Sequence, residues 1–314
     1  MEQTCHFQFL LGSHRVAIEG VGASYFAHSE AFAPFADNDG DAEWRVCYGR
    51  QVEAPPPDAV LLSSFDLEYE GCRCLFHRSG DNYYYSMFSA YGRGLLLLMR
   101  FRRGGNMVES TSVGDPGVLH LSLWFAVSML SASLQVTFVH SSTVVYGGRA
   151  VMFLGESGTG KRTHSRLWLD NIDGVHLLND DSPVVTVRQV PPDAAGSLHD
   201  MRSTSGVSVY VYGSPWSGKT PCYVPRCYPL AAVVRLSQAP HNAISRLGTT
   251  RALVSLQPSL PPALAQDDYF SDQMFVILSA VISSVPVYHL ECLPDADAAR
   301  LCFKTVFQEY NASN

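Results

Sequence analysis

One stretch of seven residues constrains this chain more than any other. Gly155-Glu156-Ser157-Gly158-Thr159-Gly160-Lys161 directly follows the apolar run Val151-Met152-Phe153-Leu154 and leads into a helical pattern. A glycine-rich turn between strand and helix, closed by Lys, is the pattern of a phosphate-binding loop. Its glycines let backbone N–H groups turn inward around phosphate oxygens, and the helix start adds the positive end of its dipole. Lys161 then bridges the terminal phosphates. A chance glycine-rich turn is the competing reading, and seven matching positions in the right context weigh against it.

The next position breaks the pattern. Ser or Thr normally follows the Lys and offers its hydroxyl to Mg²⁺, but here stands Arg162, with Thr163 one place on. A guanidinium has no lone pair to give a cation. Three outcomes stay open: carboxylates alone hold a metal, Arg162 neutralises phosphate, or nucleotide binds without efficient catalysis.

Asp180 and Asp181 end the next apolar strand, Val175–Leu178. In a parallel sheet that puts them beside the loop, where one carboxylate can hold Mg²⁺ and the other accept a proton from an attacking hydroxyl. An acidic turn before Pro183 is the bland alternative. A second glycine-containing loop, Gly213-Ser214-Pro215-Trp216-Ser217-Gly218-Lys219-Thr220, follows the strand Val207–Tyr212. Lys219 there can bring a second positive charge to a transferring phosphoryl group, and Trp216 can cover the site. His140, at the end of Val136–Val139, is a further candidate against the commoner reading as a core histidine; His164 and His176 rank below it.

Composition excludes several classes. Of 314 residues, 46% are apolar and 16% charged, against roughly a quarter charged in average proteins, so a large core is expected and disorder is not. A net charge of −7 argues against nucleic acid as partner, since phosphate attraction needs a basic face. Leu119–Val139 holds no formal charge over 21 residues, but His120 and several hydroxyl residues interrupt it. It reads as a buried helix (Leu119–Leu134) running into a strand (Val136–Val145), not as a membrane span. Met1–Gly12 lacks the basic region of a signal peptide. Eight dispersed cysteines without a CxxC pair read as buried thiols of a reducing cytoplasm.

Before Asp115-Pro116-Gly117 the pattern is β-rich, with short runs at His6–Leu11, Arg15–Glu19, Trp44–Tyr48, Leu61–Tyr69, Cys72–Arg78, Tyr83–Ser89 and Leu95–Phe101 between turn signals. This spacing predicts a small antiparallel domain. Beyond it, strands at Ala150–Leu154, Val207–Tyr212, Leu230–Leu236 and Val287–Leu290 alternate with helices over Ser271–Ser284 and Asp295–Tyr310. Gln189–Gly206 reads as a mobile polar loop. The predicted organisation is residues 1–115 as a β-rich domain and residues 116–314 as a nucleotide-binding domain.

GESGTGK after VMFL, the short interval to LLNDD and the upstream VHSS segment together resemble the catalytic domain of HPr kinase/phosphorylase. The HPr-kinase-related bacterial proteins with an LNDD segment and a GTPWSGK-type loop are more similar still, within the phosphoenolpyruvate carboxykinase-like P-loop superfamily. The likeness covers roughly Asp115 to the C-terminus. It implies an α/β fold with a mixed, bent sheet carrying helices, nucleotide contacts from Gly155, Glu156, Ser157, Gly158, Thr159, Gly160, Lys161, Arg162 and Thr163, and metal and proton roles for Asp180 and Asp181. His140 matches the histidine before the loop strand, and Lys219 the lysine of the PWSGK loop. Arg162 departs from the pattern and puts metal ligation in doubt. The arginine-glycine-rich signature of HPr docking is not visible, so HPr itself is not the expected substrate.

The resulting expectation is an ATP-dependent kinase moving a γ-phosphoryl group to a hydroxyl of a peptide, protein or small molecule, with ATP and Mg²⁺ as cofactors. It carries no membrane span, acts in the cytoplasm and leaves room for a homo-oligomer. A nucleotide-binding regulatory module without good catalysis is the rival. A carboxykinase is third, because its His, Lys and Asp metal spacing is not found.

Overall fold

The computed structural model describes residues 6–67, 71–90, 94–189 and 207–311. The chain divides into two compact units, Met1–Leu134 with Pro262–Gln273, and Gln135–Pro261 with Met274–Asn314. Among the described residues it is an α/β protein with two mixed sheets and six α-helices. The stretch expected as a mobile loop, Gln189–Gly206, lies outside the described residues except for Gln189.

The first unit carries β1 (His6–Leu11), β2 (His14–Glu19), α1 (Ala23–Ala27), β3 (Trp44–Tyr48), β4 (Val60–Leu67), β5 (Cys72–Ser79), β6 (Asn82–Ser89), β7 (Leu95–Arg102), β8 (Met107–Ser110) and α2 (Pro116–Ser131). The strand order is β1-β2-β3-β8-β7-β6-β5-β4. The expected antiparallel domain is corrected to a mixed one, because β3 runs parallel to both β2 and β8. Tight turns return a chain antiparallel, whereas the long connection over residues 20–43, which contains α1, permits a parallel crossover.

Helix α2 begins earlier than the pattern suggested. Asp115 Oδ1 accepts from the Val118 N–H at 3.0 Å and Pro116 takes the first turn, so the Asp-Pro-Gly signal is a helix cap. The hydroxyls that interrupt its apolar run bond inward: Ser122 donates to Leu119 O and Ser128 to Trp124 O. No helix among the described residues is long and apolar enough to cross a membrane.

The second unit contains β9 (Val136–Phe138), β10 (Ser142–Tyr146), β11 (Arg149–Leu154), α3 (Lys161–Asn171), β12 (His176–Asn179), β13 (Val184–Gln189), β14 (Val207–Tyr212), β15 (Cys227–Gln238), β16 (Ala243–Arg246), α4 (Thr249–Leu256), α5 (Asp268–Ser284), which starts in the first unit's segment, β17 (Val287–Cys292) and α6 (Ala296–Asn311). Its order is β12-β10-β11-β15-β14-β13-β9, with β17 on β15 and β16 on β17. The single strand expected over Val136–Val145 is two strands. At the break the N–H groups of Val139, His140 and Ser141 bond Pro183, Ser259 and Asp181, so the backbone leaves the ladder there. Strand β15 also changes partners along its length: Cys227–Pro229 pair β14, and Leu230 onward pairs β11. Pro229 lacks an N–H to continue a ladder.

Strand β10 is antiparallel to both β11 and β12. Strands β11 and β12 therefore point the same way, and their C-terminal ends reach one sheet edge. Helix α3 is held down by Trp168, fully buried 5.3 Å from Phe153 and 5.6 Å from Phe303 of α6. Four of the cysteines, Cys47, Cys72, Cys74 and Cys302, are buried; the expectation of burial fails at Cys227, which is exposed beside Tyr212.

Within this core His164 Nε2 accepts from the Trp168 indole N–H at 3.1 Å, and burial pushes the imidazole down to about 4. The unfolded chain, with an ordinary value of 6.5, binds more protons between those two values, so stability falls as pH drops through that window. His164→Gln should flatten the fall by up to about 1.4 kcal/mol per pH unit in urea unfolding. An unchanged slope would mean that the native state protonates His164 freely.

Candidate functional site

The loop from Gly155 to Gly160 leaves β11 and enters α3. Gly158 and Gly160 hold left-handed φ values of 82° and 100°, and a Cβ at either would point into open space. The loop is therefore an open cradle whose turns favour glycine. Gly160 at the N-cap of α3 has no side chain to bond the first amides of the helix, so those donors can face an anion. Lys161 Nζ turns back and donates to Gly155 O at 2.7 Å and Glu156 O at 3.3 Å. Burial lowers the Lys161 pKa, Arg235 adds to that, and the charges of Asp181 and Asp180 oppose it.

The two carboxylates occupy different environments. The Asp180 side chain is 2% exposed; its Oδ1 accepts from Ser142 Oγ at 3.3 Å and its Oδ2 from the Thr220 N–H at 3.2 Å. Arg162 Nε lies 4.0 Å from the same Oδ2. The Asp181 side chain is 38% exposed, with His140 Nδ1 at 3.3 Å and Ser182 Oγ donating at 2.9 Å. Burial works to raise the Asp181 pKa, but those two hydrogen bonds and the Lys161 charge outweigh it and hold the carboxyl below its ordinary value.

The second loop is fastened to this turn. Asn179, wholly buried, donates to Ser214 O, Ser214 Oγ and Trp216 O and accepts from the N–H groups of Asp181 and Ser182. Gly218 approaches so closely that a Cβ there would stand 3.2 Å from Asp180 O. Lys219 is exposed on that loop. Trp216, expected to cover the site, is instead a core residue edge-on to Phe138 at 5.3 Å.

The structure thus gathers Lys161, Arg162, Asp180, Asp181, His140 and the loop bearing Lys219 at one edge of one sheet. Glu156 and Ser157 are exposed on the cradle, Thr159 donates to Glu156 O, and Thr163 lines an adjoining groove. Three residues were not singled out from sequence. Asn179 sits inside the recognised segment but carries no charge to attract notice. Arg235 Nη2 is 3.4 Å from Glu156 Oε1, and Gln238 donates to Gly158 O at 3.2 Å, so the end of β15 braces the cradle. The signal for Arg235 was present, a lone cation within Val233-Val234-Arg235-Leu236.

No protein-family model matches this chain, and no curated protein matches it either. Among solved structures it is similar to the Hpr(Ser) kinase/phosphatase from Coxiella burnetii, at 15% identity over 56% of this chain and 91% of that one. The TM-score is 0.26, a weak likeness.

Asn179 generates the sharpest structural test. Asn179→Asp keeps the shape but turns a three-fold donor into an anion facing Ser214 O and Trp216 O. The change should cost on the order of 2–4 kcal/mol in denaturant unfolding, as an unpaired buried charge does. A cost within experimental error would show that the two loops are held independently of this residue.

Proposed function

We propose that this chain is an ATP-dependent phosphotransferase that moves the γ-phosphoryl group to a hydroxyl of a peptide, protein or small molecule. In this reading the nucleotide-binding domain, of the phosphoenolpyruvate carboxykinase-like kind, is the second unit, the first unit serves a separate role, and the protein works in the cytoplasm. The observation that carries it is the convergence of an open, glycine-turned anion cradle and Lys161 with two carboxylates of unlike exposure.

Loop amides and the α3 terminus would hold the β- and γ-phosphates, with Lys161 leaving its loop carbonyls to bridge them. Lys219 would reach the transferring group from the second loop. Asp181, ionised and half-exposed, would accept the proton as the acceptor oxygen bonds to the γ-phosphorus and the bond to the β–γ bridging oxygen breaks, releasing ADP. His140 would keep Asp181 oriented, and Asp180 would fix the second loop through Thr220.

The donor set does not suit a metal ion at both carboxylates. Both Asp180 oxygens already accept hydrogen bonds, and the Arg162 guanidinium stands beside Oδ2 where a cation would bind. The same contact favours a second reading, a nucleotide-binding regulatory module in which Arg162 and Asp180 lock each other and catalysis is slow.

ATP should raise the melting temperature of the wild type by mass action, and Lys161→Ala should remove most of that shift. Asp181→Asn should keep nucleotide binding and reduce turnover by about 10²-fold or more, since Asn has shape without basicity. A flat melting curve across millimolar ATP refutes the phosphate site; binding with no turnover in either protein favours the regulatory reading. Arg162→Ser, titrated with ATP with and without Mg²⁺, should gain metal dependence if the guanidinium blocks the ion, and equal affinities in all arms would show that it does not.

A further inference from the structure

The first unit has a cavity of its own. A trough of about 410 Å³ lies on the sheet where β1, β2 and β3 run side by side. Register fixes its floor. Gln8 stands opposite Ala17 and Ala17 beside Arg45, so these three side chains share one face of the sheet, and His6 and Glu19 form the next rung of that face. Ala17, the smallest of the five, leaves space between its larger neighbours. The wall is a loop fastened to the strands: Arg15 Nε donates to Asp37 Oδ2 at 2.8 Å, the Asp37 N–H to Gln8 O at 3.0 Å, and Gln8 Nε2 to Gly40 O at 3.0 Å. Gly40 takes a φ of 101°, a left-handed value that a side chain would strain.

Two floor groups keep bonding capacity. Gln8 is 5% exposed and spends one N–H on Gly40 O, while no described residue bonds its carboxamide oxygen. Cys47 Sγ donates to Glu19 Oε2 at 3.4 Å and Arg50 Nη2 lies 3.7 Å from the same atom, whereas Oε1 has no partner among the described residues. Charge then narrows the ligand. Two carboxylates, Glu19 and Asp41, border the trough against one guanidinium, Arg45; Arg50 touches only Oε2 and its side chain is 54% exposed. Arg45 lies one strand over and two residues along from Glu19, a backbone diagonal of about 8 Å, so the opposite charges meet different ends of one small molecule. Apart from Ala17, Gly40 and Ala42 the lining is polar, and a flat apolar group finds little to pack on.

We propose that this trough binds a free amino acid with a cationic side chain, the chemistry of arginine or lysine. The α-carboxylate pairs with Arg45, the α-ammonium with Asp41 and the Gln8 oxygen, and the side-chain cation with Glu19 Oε1. A residue inside a peptide lacks both α-charges and a polyamine lacks the carboxylate, so neither meets all three groups. The site stands independently of the phosphotransferase reading and gives the first unit a binding role of its own.

Titration calorimetry on the full chain compares L-arginine and L-lysine with agmatine, which lacks the carboxylate, and with L-glutamate, which reverses the side-chain charge. At least one of the two basic amino acids should bind with a Kd of about 1 mM or tighter, and agmatine and glutamate should bind about tenfold more weakly or not at all. Arg45→Gln and Glu19→Gln should each weaken the better ligand by about tenfold or more, while the urea midpoint stays close to that of the wild type. The two positions sit on different strands, so either variant that keeps the fold decides. No binding of either basic amino acid at about 10 mM overturns the proposal. Agmatine or glutamate binding as tightly as the basic amino acids overturns it too, as does unchanged affinity in either folded variant.

Discussion

A single buried carboxamide organises the site. Asn179 ends β12, and each face of its amide is engaged: the nitrogen by the loop that follows β14, the oxygen by the turn that carries the two aspartates. Neither segment is regular structure, and each would otherwise bury backbone polar groups without partners. By serving both at once, Asn179 fixes the distance between Asp180 and the loop of Gly218 and Lys219. Ser214 repeats the logic on the other side, donating to Ser182 O and accepting from the Trp216 N–H. The carboxylates are positioned by neutral hydrogen bonds before any charge is considered.

Charge near the cradle is closely balanced. Lys161, Arg162 and Arg235 face Glu156, Asp180 and Asp181. In a chain of net charge −7, the proposed attraction for an anion would therefore come from oriented backbone dipoles more than from surplus side-chain charge. Such attraction is short-ranged and demands the correct geometry. Arg162 shifts this balance by standing where other loops of the pattern present a hydroxyl.

What the sequence made legible was local. The strand, glycine loop and helix around Lys161 are contiguous, and each boundary has its own residue signal. Most strands of the first unit were visible for the same reason. What escaped reading depends on distant partners. The break at Val139–Ser141 follows from backbone bonds to Pro183, Ser259 and Asp181, and nothing in the apolar run VTFVHSSTVV announces them. Strand β13 begins directly after Pro183, a residue type more common at turns than at strand starts. The parallel placement of β3 is a choice of topology that alternation cannot encode. At the site, the aspartates were conspicuous by charge, whereas Asn179, Ser142 and Gln238 act as neutral bonding groups whose value appears only when their partners are in place. Trp216 illustrates the converse, a conspicuous side chain whose role is packing.

The back-folded Lys161 has an energetic consequence. Its ammonium sits 2.7 Å from Gly155 O, and Gly158 O is bonded to Gln238, so these two loop carbonyls already have donors. On the proposed reading, a phosphate would not simply add contacts; it would draw the lysine off its carbonyl, and the enthalpy gained would be a difference between two charge-assisted bonds. The same arrangement means that the loop needs little ordering when a ligand arrives, so the entropic cost is small as well. On the proposed reading, occupancy of the cradle would be an exchange of partners on a pre-formed frame.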